Sequence, residues 1–495
     1  MYNKTILIVI EGIGIRNDKF GNIMYESDIP NLKKIQNEAL TSILKTDTQK
    51  DVSSSYYGYY TIGAGQDVTN DKEIIDKQIE SGDFFSNEKL QKLYSKLKEE
   101  EKNLHLIGML SSSQMQSSKR HLNAFLELAK RKDLNNVYIH LILDGIDGKP
   151  REAIENIEEL ESVIKHKEVG QIHTIMGRDF AMNNSSNWEK VKEAYDAIVY
   201  SKGKIVENLE NEIIEEYMQD RYDKNIRPII LKSNEYDFED GDAIIFFGHR
   251  LDNLEKIIRA FSDPFFENFK TENYTNKIYT MYEANEGKNI SCVFERENLK
   301  ENLLNYLNQK KVRIVEIYDD NNSNILEKRL SNYNEDTYEN IQKIVPNVIN
   351  ESEYILNAQK YIQNTTNFLL SEISKENDLI IVDYQSLNIV AENGDISDII
   401  ITLEEIDRNI GKIIKECEEK NINIMITSTH GKIEEMIDKK TGDMKRSNTN
   451  NPVPIYILGS GYSKIDSGNI SQISQTLITL LGIENPKNMK NKSLI

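Results

Sequence analysis

Three residues have types and surroundings that could support chemistry. Ser55 lies in the stretch SSSYYGYYTIGAG (53–65), where a hydroxyl could act as a nucleophile if a partner activates it. Glu11 directly follows the apolar run TILIVI (5–10), where a carboxylate must be paired or must face a crevice. His430, in ITSTHG, is the single histidine of the last third of the chain. Taken alone, Ser55 fits a polar turn and His430 fits a hydrogen-bonded loop. Whether either residue has a functional role therefore depends on its partners elsewhere in the chain.

Short β-branched runs alternate with longer amphipathic segments along the chain. The runs lie at 5–10, 136–143, 243–248, 378–384, 422–427 and 454–459. Segments with helical spacing of apolar residues lie at 87–102, 187–201 and 402–420. This alternation predicts an α/β fold with mainly parallel sheets, whose functional residues lie at the carboxyl ends of strands. Residues 282–297 are predicted to be a linker and residues 318–340 irregular surface.

Size and composition limit the function classes. A chain of 495 residues is too long for one ordinary core, so two domains are expected. The net charge of −20, with lysines interleaved among glutamates, predicts no nucleic-acid partner. The two cysteines, Cys292 and Cys417, are in no CxxC arrangement, which fits a reducing cytoplasm without a disulfide framework or zinc site. No apolar run is long enough to span a bilayer, so we predict a cytoplasmic protein with no membrane partner.

Nine phrases of the sequence form a collinear set that covers nearly the whole chain. They are IGAGQDV, GDFFSNEKL, LHLIGMLSS, HLNAFLELAKRK, VYIHLILDGIDGKP, IHTIMGRDFAMNN, GDAIIFFGHR, ITSTHGKIEEM and NPVPIYILGSG. In order and spacing they resemble the cofactor-independent phosphoglycerate mutase family. The resemblance implies an α/β, alkaline-phosphatase-like lobe with a mainly parallel sheet, formed by residues 1–74 and 298–495. A second α/β, phosphotransferase-like lobe, residues 75–297, is inserted into it.

The resemblance also implies a reaction. In that family a serine takes the phosphoryl group of 3-phosphoglycerate and returns it to the neighbouring hydroxyl, which gives 2-phosphoglycerate. Two manganese ions lower the pKa of the serine and neutralise charge on the phosphoryl oxygens. Arginines of the inserted lobe grip phosphate and carboxylate groups with their planar forks.

The metal-ligand positions that the resemblance implies are largely substituted. Ser55 falls on the nucleophile and His430 on a ligand histidine, whereas five other positions differ from the family. These five are Glu11 for an aspartate, Thr429 for an aspartate, Asn388 for an aspartate, Glu392 for a histidine and Asn448 for a histidine. Amide and hydroxyl side chains are weaker ligands than carboxylates. We therefore expect one divalent ion, manganese or magnesium, at Glu11, Ser55, Glu392 and His430, or none, and no two-manganese site.

The substrate side is substituted as well. By resemblance Asp147, Arg178 and Arg250 are substrate-binding residues. Other positions differ, where Ile146, Asn184 and Asn253 stand for arginines and Gln116 for a histidine. Loss of one charged partner of a phosphate costs on the order of 2–5 kcal/mol, so several losses predict weak binding of a phosphoglycerate.

Two functional hypotheses follow, with a third in reserve. The first is a pseudoenzyme that keeps the mutase scaffold and binds a phosphorylated small molecule or a protein partner. The second is a divergent metal-dependent phosphomutase or phosphatase that uses Ser55 on another phosphorylated substrate. The third is a structural or scaffolding subunit. The first is preferred, because ligands and arginines are substituted together while the strand motifs stay readable.

Overall fold

The structure is a computed structural model of the 495-residue chain. It describes residues 2–46, 54–183, 188–232, 238–272, 276–282, 289–295, 299, 301–319, 330–331, 338–345 and 351–495. Asn184 and most of the segment 318–340 lie outside the described residues.

The described strands are short and mostly buried. They are β1 (Thr5–Ile10), β2 (Leu40–Lys45), β3 (Leu104–Leu110), β4 (Val137–Leu143), β5 (Gln171–Gly177), β6 (Lys204–Val206), β7 (Ile229–Leu231), β8 (Ala243–Phe246), β9 (Lys277–Thr280), β10 (Ile290–Cys292), β11 (Ile314–Tyr318), β12 (Ile341–Ile344), β13 (Leu379–Tyr384), β14 (Asn423–Thr427), β15 (Val453–Leu458) and β16 (Gly468–Asn469). The six predicted runs are confirmed as β1, β4, β8, β13, β14 and β15.

The described helices separate these strands. They are Ile23–Glu26, Pro30–Glu38, Ser55–Ala64, Asp71–Ser81, Asp83–Ser86, Glu88–Glu99, Lys119–Lys132, Ala153–Lys167, Arg178–Ala181, Glu189–Tyr200, Leu209–Met218, Glu255–Ser262, Leu303–Gln309, Glu351–Leu356, Ala358–Ile373, Ser386–Asn393, Ile396–Lys420 and Ile473–Leu480. Side-chain caps set several starts, as where the Asp395 side chain accepts from the backbone N–H of Asp398 at 3.1 Å. Within the described residues no helix is long and apolar enough to cross a membrane.

The chain divides into two compact units. The first comprises residues 1–68 and 298–495, and its sheet has the strand order β12-β11-β13-β1-β14-β15-β2-β16. The first five strands in this order, which are β12, β11, β13, β1 and β14, are mutually parallel. β1 lies between β13 and β14. The side chains of Ile6, Ile8 and Ile10 pack into one core cluster, and those of Leu7 and Val9 into another. Burial on both faces explains why β1 is apolar throughout.

The second unit comprises residues 69–297. Its sheet has the order β10-β9-β8-β3-β4-β5-β7-β6, and every neighbouring pair is parallel except β5 and β7. Leu141 of β4 packs into one core cluster and Ile142 into another, so this sheet also has two covered faces. Both units thus confirm the predicted α/β class with mainly parallel sheets.

The predicted linker 282–297 is wrong in its described part. Residues Ile290–Cys292 form β10, an edge strand that pairs in parallel with β9. Val293 and Phe294 are buried in the core of the second unit. The segment reads as polar because a three-residue edge strand is half solvated and shows no alternation long enough to recognise.

Candidate functional site

One group of polar residues in the first unit lies at the carboxyl ends of three neighbouring parallel strands. Glu11 directly follows β1, Asn388 and Glu392 lie on the helix Ser386–Asn393 after β13, and Thr429 and His430 follow β14. Backbone contacts fix the loops, since the N–H of Lys432 donates to the carbonyl of Gly12 at 3.1 Å. The parallel strands therefore bring Glu11 to the same edge of the sheet as residues about 380–420 positions later in the chain. We call this group the strand-edge cluster.

Ser55 begins the helix Ser55–Ala64, and the Ser54 hydroxyl caps it by accepting from the N–H of Tyr57 at 3.4 Å. Gly58, one turn on, allows this helix to approach the cluster. A Cβ added at Gly58 would lie 2.4 Å from Cβ of Thr429. The first turn of the helix thus packs close to the end of β14. Among the described contacts, no hydrogen bond links the half-buried Ser55 to Glu11, Glu392 or His430.

His430 and Glu11 form the buried centre of the cluster. Nδ1 of His430 lies 3.0 Å from Oε2 of Glu11 and 3.0 Å from the hydroxyl oxygen of Thr429. Thr429 also donates to Oε2 of Glu11. All three residues have no exposed surface, so the acid that follows β1 is paired, as its cost of burial requires.

The hydrogen-bond chain continues from the other ring nitrogen of His430. Nε2 lies 3.1 Å from Oδ1 of Asn388, whose Nδ2 donates to Oε1 of Glu392 at 3.2 Å. Because a carboxylate accepts only, it takes the amide N–H₂ of Asn388 and leaves the amide oxygen toward His430. Nε2 must then carry a proton and donate it. The ammonium of Lys432 also donates to Oε1 of Glu392, at 3.0 Å.

Two buried oxygens at the centre are less well satisfied. Oε1 of Glu11 and the hydroxyl of Tyr59 make no hydrogen bond of full geometry with the described residues. Burial, with the carboxylates of Asp383 and Glu11 nearby, nevertheless raises the pKa of Tyr59 well above its usual value. Tyr59 is therefore a neutral phenol beside two acids. No group of three His, Cys, Asp or Glu side chains in the described part of the chain is arranged to hold a metal ion.

A second polar group lies in the second unit, again where parallel strands end. Asp144 and Asp147 follow β4 and Arg178 follows β5. Nη1 of Arg178 donates to Oδ1 of Asp144 at 2.8 Å and to Oδ2 of Asp147 at 2.9 Å. Gln116, after β3, donates from Nε2 to Oδ2 of Asp147 at 3.2 Å. We call this group the guanidinium cluster.

Arg250, after β8, belongs to the same cluster. Its Nη2 donates to Oδ2 of Asp252 at 2.9 Å, and its backbone N–H donates to the carbonyl of Gln116 at 3.2 Å. Burial opposes ionisation of Asp147, but the guanidinium groups of Arg178 and Arg250 outweigh it and lower the pKa of that carboxyl. The cluster therefore pairs each arginine with carboxylates of its own unit.

The structure brings the predicted residues together within each unit. Glu11, Glu392 and His430 share one hydrogen-bond chain, and Asp147, Arg178 and Arg250 share another group. Ser55 lies on the helix that packs against Thr429 without bonding to the chain. Sequence reasoning missed Lys432, which is almost fully buried. A lysine two residues after the loop histidine was the available signal, but an isolated lysine usually indicates a solvated loop.

Comparisons with known proteins agree over nearly the whole chain. A family model described as BPG-independent PGAM N-terminus matches residues 75–286. The chain is 31% identical to the 2,3-bisphosphoglycerate-independent phosphoglycerate mutase of Acetivibrio thermocellus over 505 aligned residues, with 99% of each chain covered. It is 29% identical to that of Clostridium perfringens, again with 99% of each covered.

A solved structure shows the same fold. A Leishmania mexicana phosphoglycerate mutase, crystallised at low cobalt concentration, superposes with a TM-score of 0.90 at 19% identity, over 100% of this chain and 98% of that one. Fold and sequence together define a phosphoglycerate-mutase-like protein of two α/β units. The chain belongs to the 2,3-bisphosphoglycerate-independent phosphoglycerate mutase family.

Proposed function

We propose that this family member acts by binding a phosphorylated small molecule or a protein partner and not by two-manganese phosphoryl transfer. Its role would be that of a catalytically impaired homologue in the cytoplasm. The observation that carries the proposal is the state of His430. Its Nε2 faces the oxygen of Asn388 and its Nδ1 faces Glu11 and Thr429. An imidazole binds a metal through a nitrogen lone pair, and here both nitrogens are engaged in hydrogen bonds.

The residues present do not fit a pair of manganese ions. Three of the ligand positions that the resemblance implies hold Asn388, Glu392 and Asn448, which are two neutral amides and one carboxylate. That carboxylate already accepts from Lys432 and Asn388. Divalent ions favour ionised oxygen ligands, and neutral amides do not compensate their charge. We therefore derive no phosphoryl-transfer step through such ions.

The guanidinium cluster supports weak rather than tight binding of a phosphoglycerate. Arg178 and Arg250 both have carboxylate partners, so an anion would have to compete with Asp144, Asp147 and Asp252. A ligand of lower charge or a protein carboxylate could bind these guanidinium groups by exchanging with such partners.

An enolase-coupled mutase assay with added manganese tests the proposal. The full chain, its Ser55→Ala variant and the Acetivibrio thermocellus relative as positive control would be assayed side by side on 3-phosphoglycerate. We expect turnover by the relative and none by either form of this chain. Turnover that disappears in Ser55→Ala would contradict the proposal, because it requires an activated serine.

A second candidate function is a divergent, metal-dependent phosphomutase or phosphatase with Ser55 as nucleophile. The observation that favours it is the buried Oε1 of Glu11, which has no full hydrogen bond from the described residues and is free to accept a cation, manganese or magnesium. A panel of phosphate and sulfate esters, run with each ion, distinguishes the candidates. Hydrolysis or transfer that depends on both Ser55 and Glu11 would favour the second.

A further inference from the structure

Lys432, the cationic partner of Glu392, is the most unusual residue bonded to the strand-edge cluster. Its side chain is 2% exposed, although a lysine ammonium is costly to bury without a partner. Nζ lies 3.0 Å from Oε1 of Glu392, whose side chain is 32% exposed. The ammonium is therefore inside the protein, and its counter-charge reaches the surface.

The backbone fixes the position of this lysine. The N–H of Lys432 donates to the carbonyl of Gly12 at 3.1 Å and to Oε2 of Glu434 at 2.8 Å. Glu434 is itself buried, and its Oε2 also accepts from the N–H of Gly14 at 3.0 Å. A Cβ added at Gly12 would lie 3.6 Å from Cβ of Lys432, so the two loops are in ordinary contact. These backbone hydrogen bonds hold the loop, and the Lys432 side chain extends from it to Glu392.

The charges of the cluster explain what the ammonium does. Glu11 and Glu392 are connected through His430 and Asn388, and this chain contains no other Lys or Arg among its described hydrogen bonds. A fixed positive charge beside Glu392 lowers the cost of burying the acids and repels any further cation. A divalent ion at Glu392 would lie close to this ammonium, and at Oε1 it would have to displace it.

We propose that Lys432 is the built-in cation of this centre, which neutralises Glu392 and closes the cluster to divalent ions. This inference rests on the proposed function, in which two-ion catalysis is absent. Its test measures metal binding and unfolding instead of turnover. Mutase turnover by the wild-type protein would overturn the proposed function. If the wild-type protein is inactive and its Mn²⁺ affinity does not change when Lys432 is replaced, only this inference is overturned.

The test measures Mn²⁺ binding to the full chain by equilibrium dialysis and by the loss of the free-ion electron paramagnetic resonance signal. Lys432→Met removes the ammonium and keeps a stem of similar length; Lys432→Gln replaces it if the methionine variant does not fold. We expect the affinity for one Mn²⁺ to rise at least about tenfold, a change of about 1.4 kcal/mol. Lys432→Met/Glu392→Gln should lose the gain, because the released carboxylate is the new ligand.

Lys445→Met is the matched control. It removes one positive charge from the same unit, where Lys445 pairs with Glu435 at 2.8 Å. We expect no gain of Mn²⁺ affinity, so a gain equal to that of Lys432→Met would reduce the effect to net charge and overturn the proposal. Equal Mn²⁺ binding by wild type and Lys432→Met would overturn it as well.

Unfolding supplies an independent reading. Glu392→Gln leaves the ammonium without its counter-charge, so the midpoint of thermal unfolding should fall. The same substitution in the Lys432→Met background should lower the midpoint much less. Equal shifts in the two backgrounds would mean that the two residues are not coupled, which contradicts the proposal.

Discussion

The two polar clusters are built alike and filled differently. In each unit, side chains from the carboxyl ends of neighbouring parallel strands meet at one sheet edge. In the guanidinium cluster, acids pair with Arg178 and Arg250. In the strand-edge cluster, acids bond to a hydroxyl, an imidazole, an amide and one lysine. The scaffold therefore dictates where polar residues meet, and the residue types decide whether arginine ion pairs dominate, as in the guanidinium cluster, or hydrogen bonds with a single lysine ion pair, as in the strand-edge cluster.

This difference predicts different sensitivity to loss of one member. A buried acid that loses its arginine partner becomes a poorly compensated charge, whereas the hydrogen bonds from Glu11 through His430 to Asn388 can lose one link and keep the others. Removal of an arginine from the guanidinium cluster should therefore cost more unfolding free energy than removal of one hydrogen bond from the strand-edge cluster. Trp188, the single tryptophan of the chain, allows the second unit to be followed separately, since it packs against Phe266 with ring centroids 5.3 Å apart.

Arg178→Met should have the largest effect. It removes the guanidinium that Asp144 and Asp147 share. The Asp144 side chain has no exposed surface and that of Asp147 is 14% exposed, so both acids remain largely buried. We expect the second unit to lose about 3–5 kcal/mol of unfolding free energy, as when a buried pair loses one partner. Urea unfolding followed by Trp188 fluorescence measures it. Arg227→Met is the control, because Arg227 is 75% exposed and its partner Glu193 lies 3.8 Å away, so a loss near zero is expected. Equal losses would remove the contrast between buried and exposed pairs.

The sequence was sufficient for the scaffold and for part of the sites. Short apolar runs such as the five residues at 6–10 are typical of parallel strands, whose residues are buried on both faces of the sheet. The end of this run located Glu11, whereas Asp147 and Arg178 came from the family resemblance of DGIDGKP and IHTIMGRDFAMNN. Partners were not predictable: the orientation of the Asn388 amide depends on Glu392 and His430, which meet it only in three dimensions. Lys432 was missed because burial of a lysine is a property of the loop packing around Gly12 and Glu434.

The second prediction concerns the pH dependence that the buried histidines give to the second unit. In the second unit, Nδ1 of His105 lies 3.1 Å from Nε2 of His140, and Nδ1 of His140 lies 2.9 Å from the hydroxyl oxygen of Thr174. Burial lowers the pKa of His140 well below its usual value and lowers that of His105 despite the nearby Asp242. The unfolded chain, with histidine pKa values of about 6.5, therefore binds more protons than the folded unit below that pH.

The stability of the second unit should thus be complete above pH 6.5 and should fall as the pH decreases toward 5. Asp223 has the opposite sign, because burial raises its pKa to about 6 and protonation below that pH stabilises the fold. We expect a net decrease of the Trp188 unfolding midpoint, by about 2–4 °C for each kcal/mol lost. His140→Gln should flatten the profile and the exposed His166→Gln should not. A midpoint that changes equally with pH in wild type and His140→Gln would show that protonation of the histidine chain has no cost.

The smallest effect tests how closed the strand-edge cluster is. Tyr59 and Tyr384 are both fully buried in the first unit, but only the Tyr384 hydroxyl has a bond of full geometry, 2.7 Å to the hydroxyl of Thr366. Tyr384→Phe should cost about 1 kcal/mol of unfolding free energy, the usual net value of one hydrogen bond. Tyr59→Phe should change it by less than about 0.5 kcal/mol, because no such bond is lost.

Urea unfolding followed by far-ultraviolet circular dichroism compares the two tyrosine variants. A cost for Tyr59→Phe equal to that of Tyr384→Phe would mean that the phenol donates to Glu11 or Asp383 in solution. A bond to Oε1 of Glu11 would occupy the one buried oxygen that favours a metal-dependent enzyme, whereas a bond to Asp383 would leave that oxygen unchanged. A negligible cost for Tyr59→Phe leaves Oε1 of Glu11 without a donor from the described residues, and makes Glu11→Gln the next variant to test for Mn²⁺ binding.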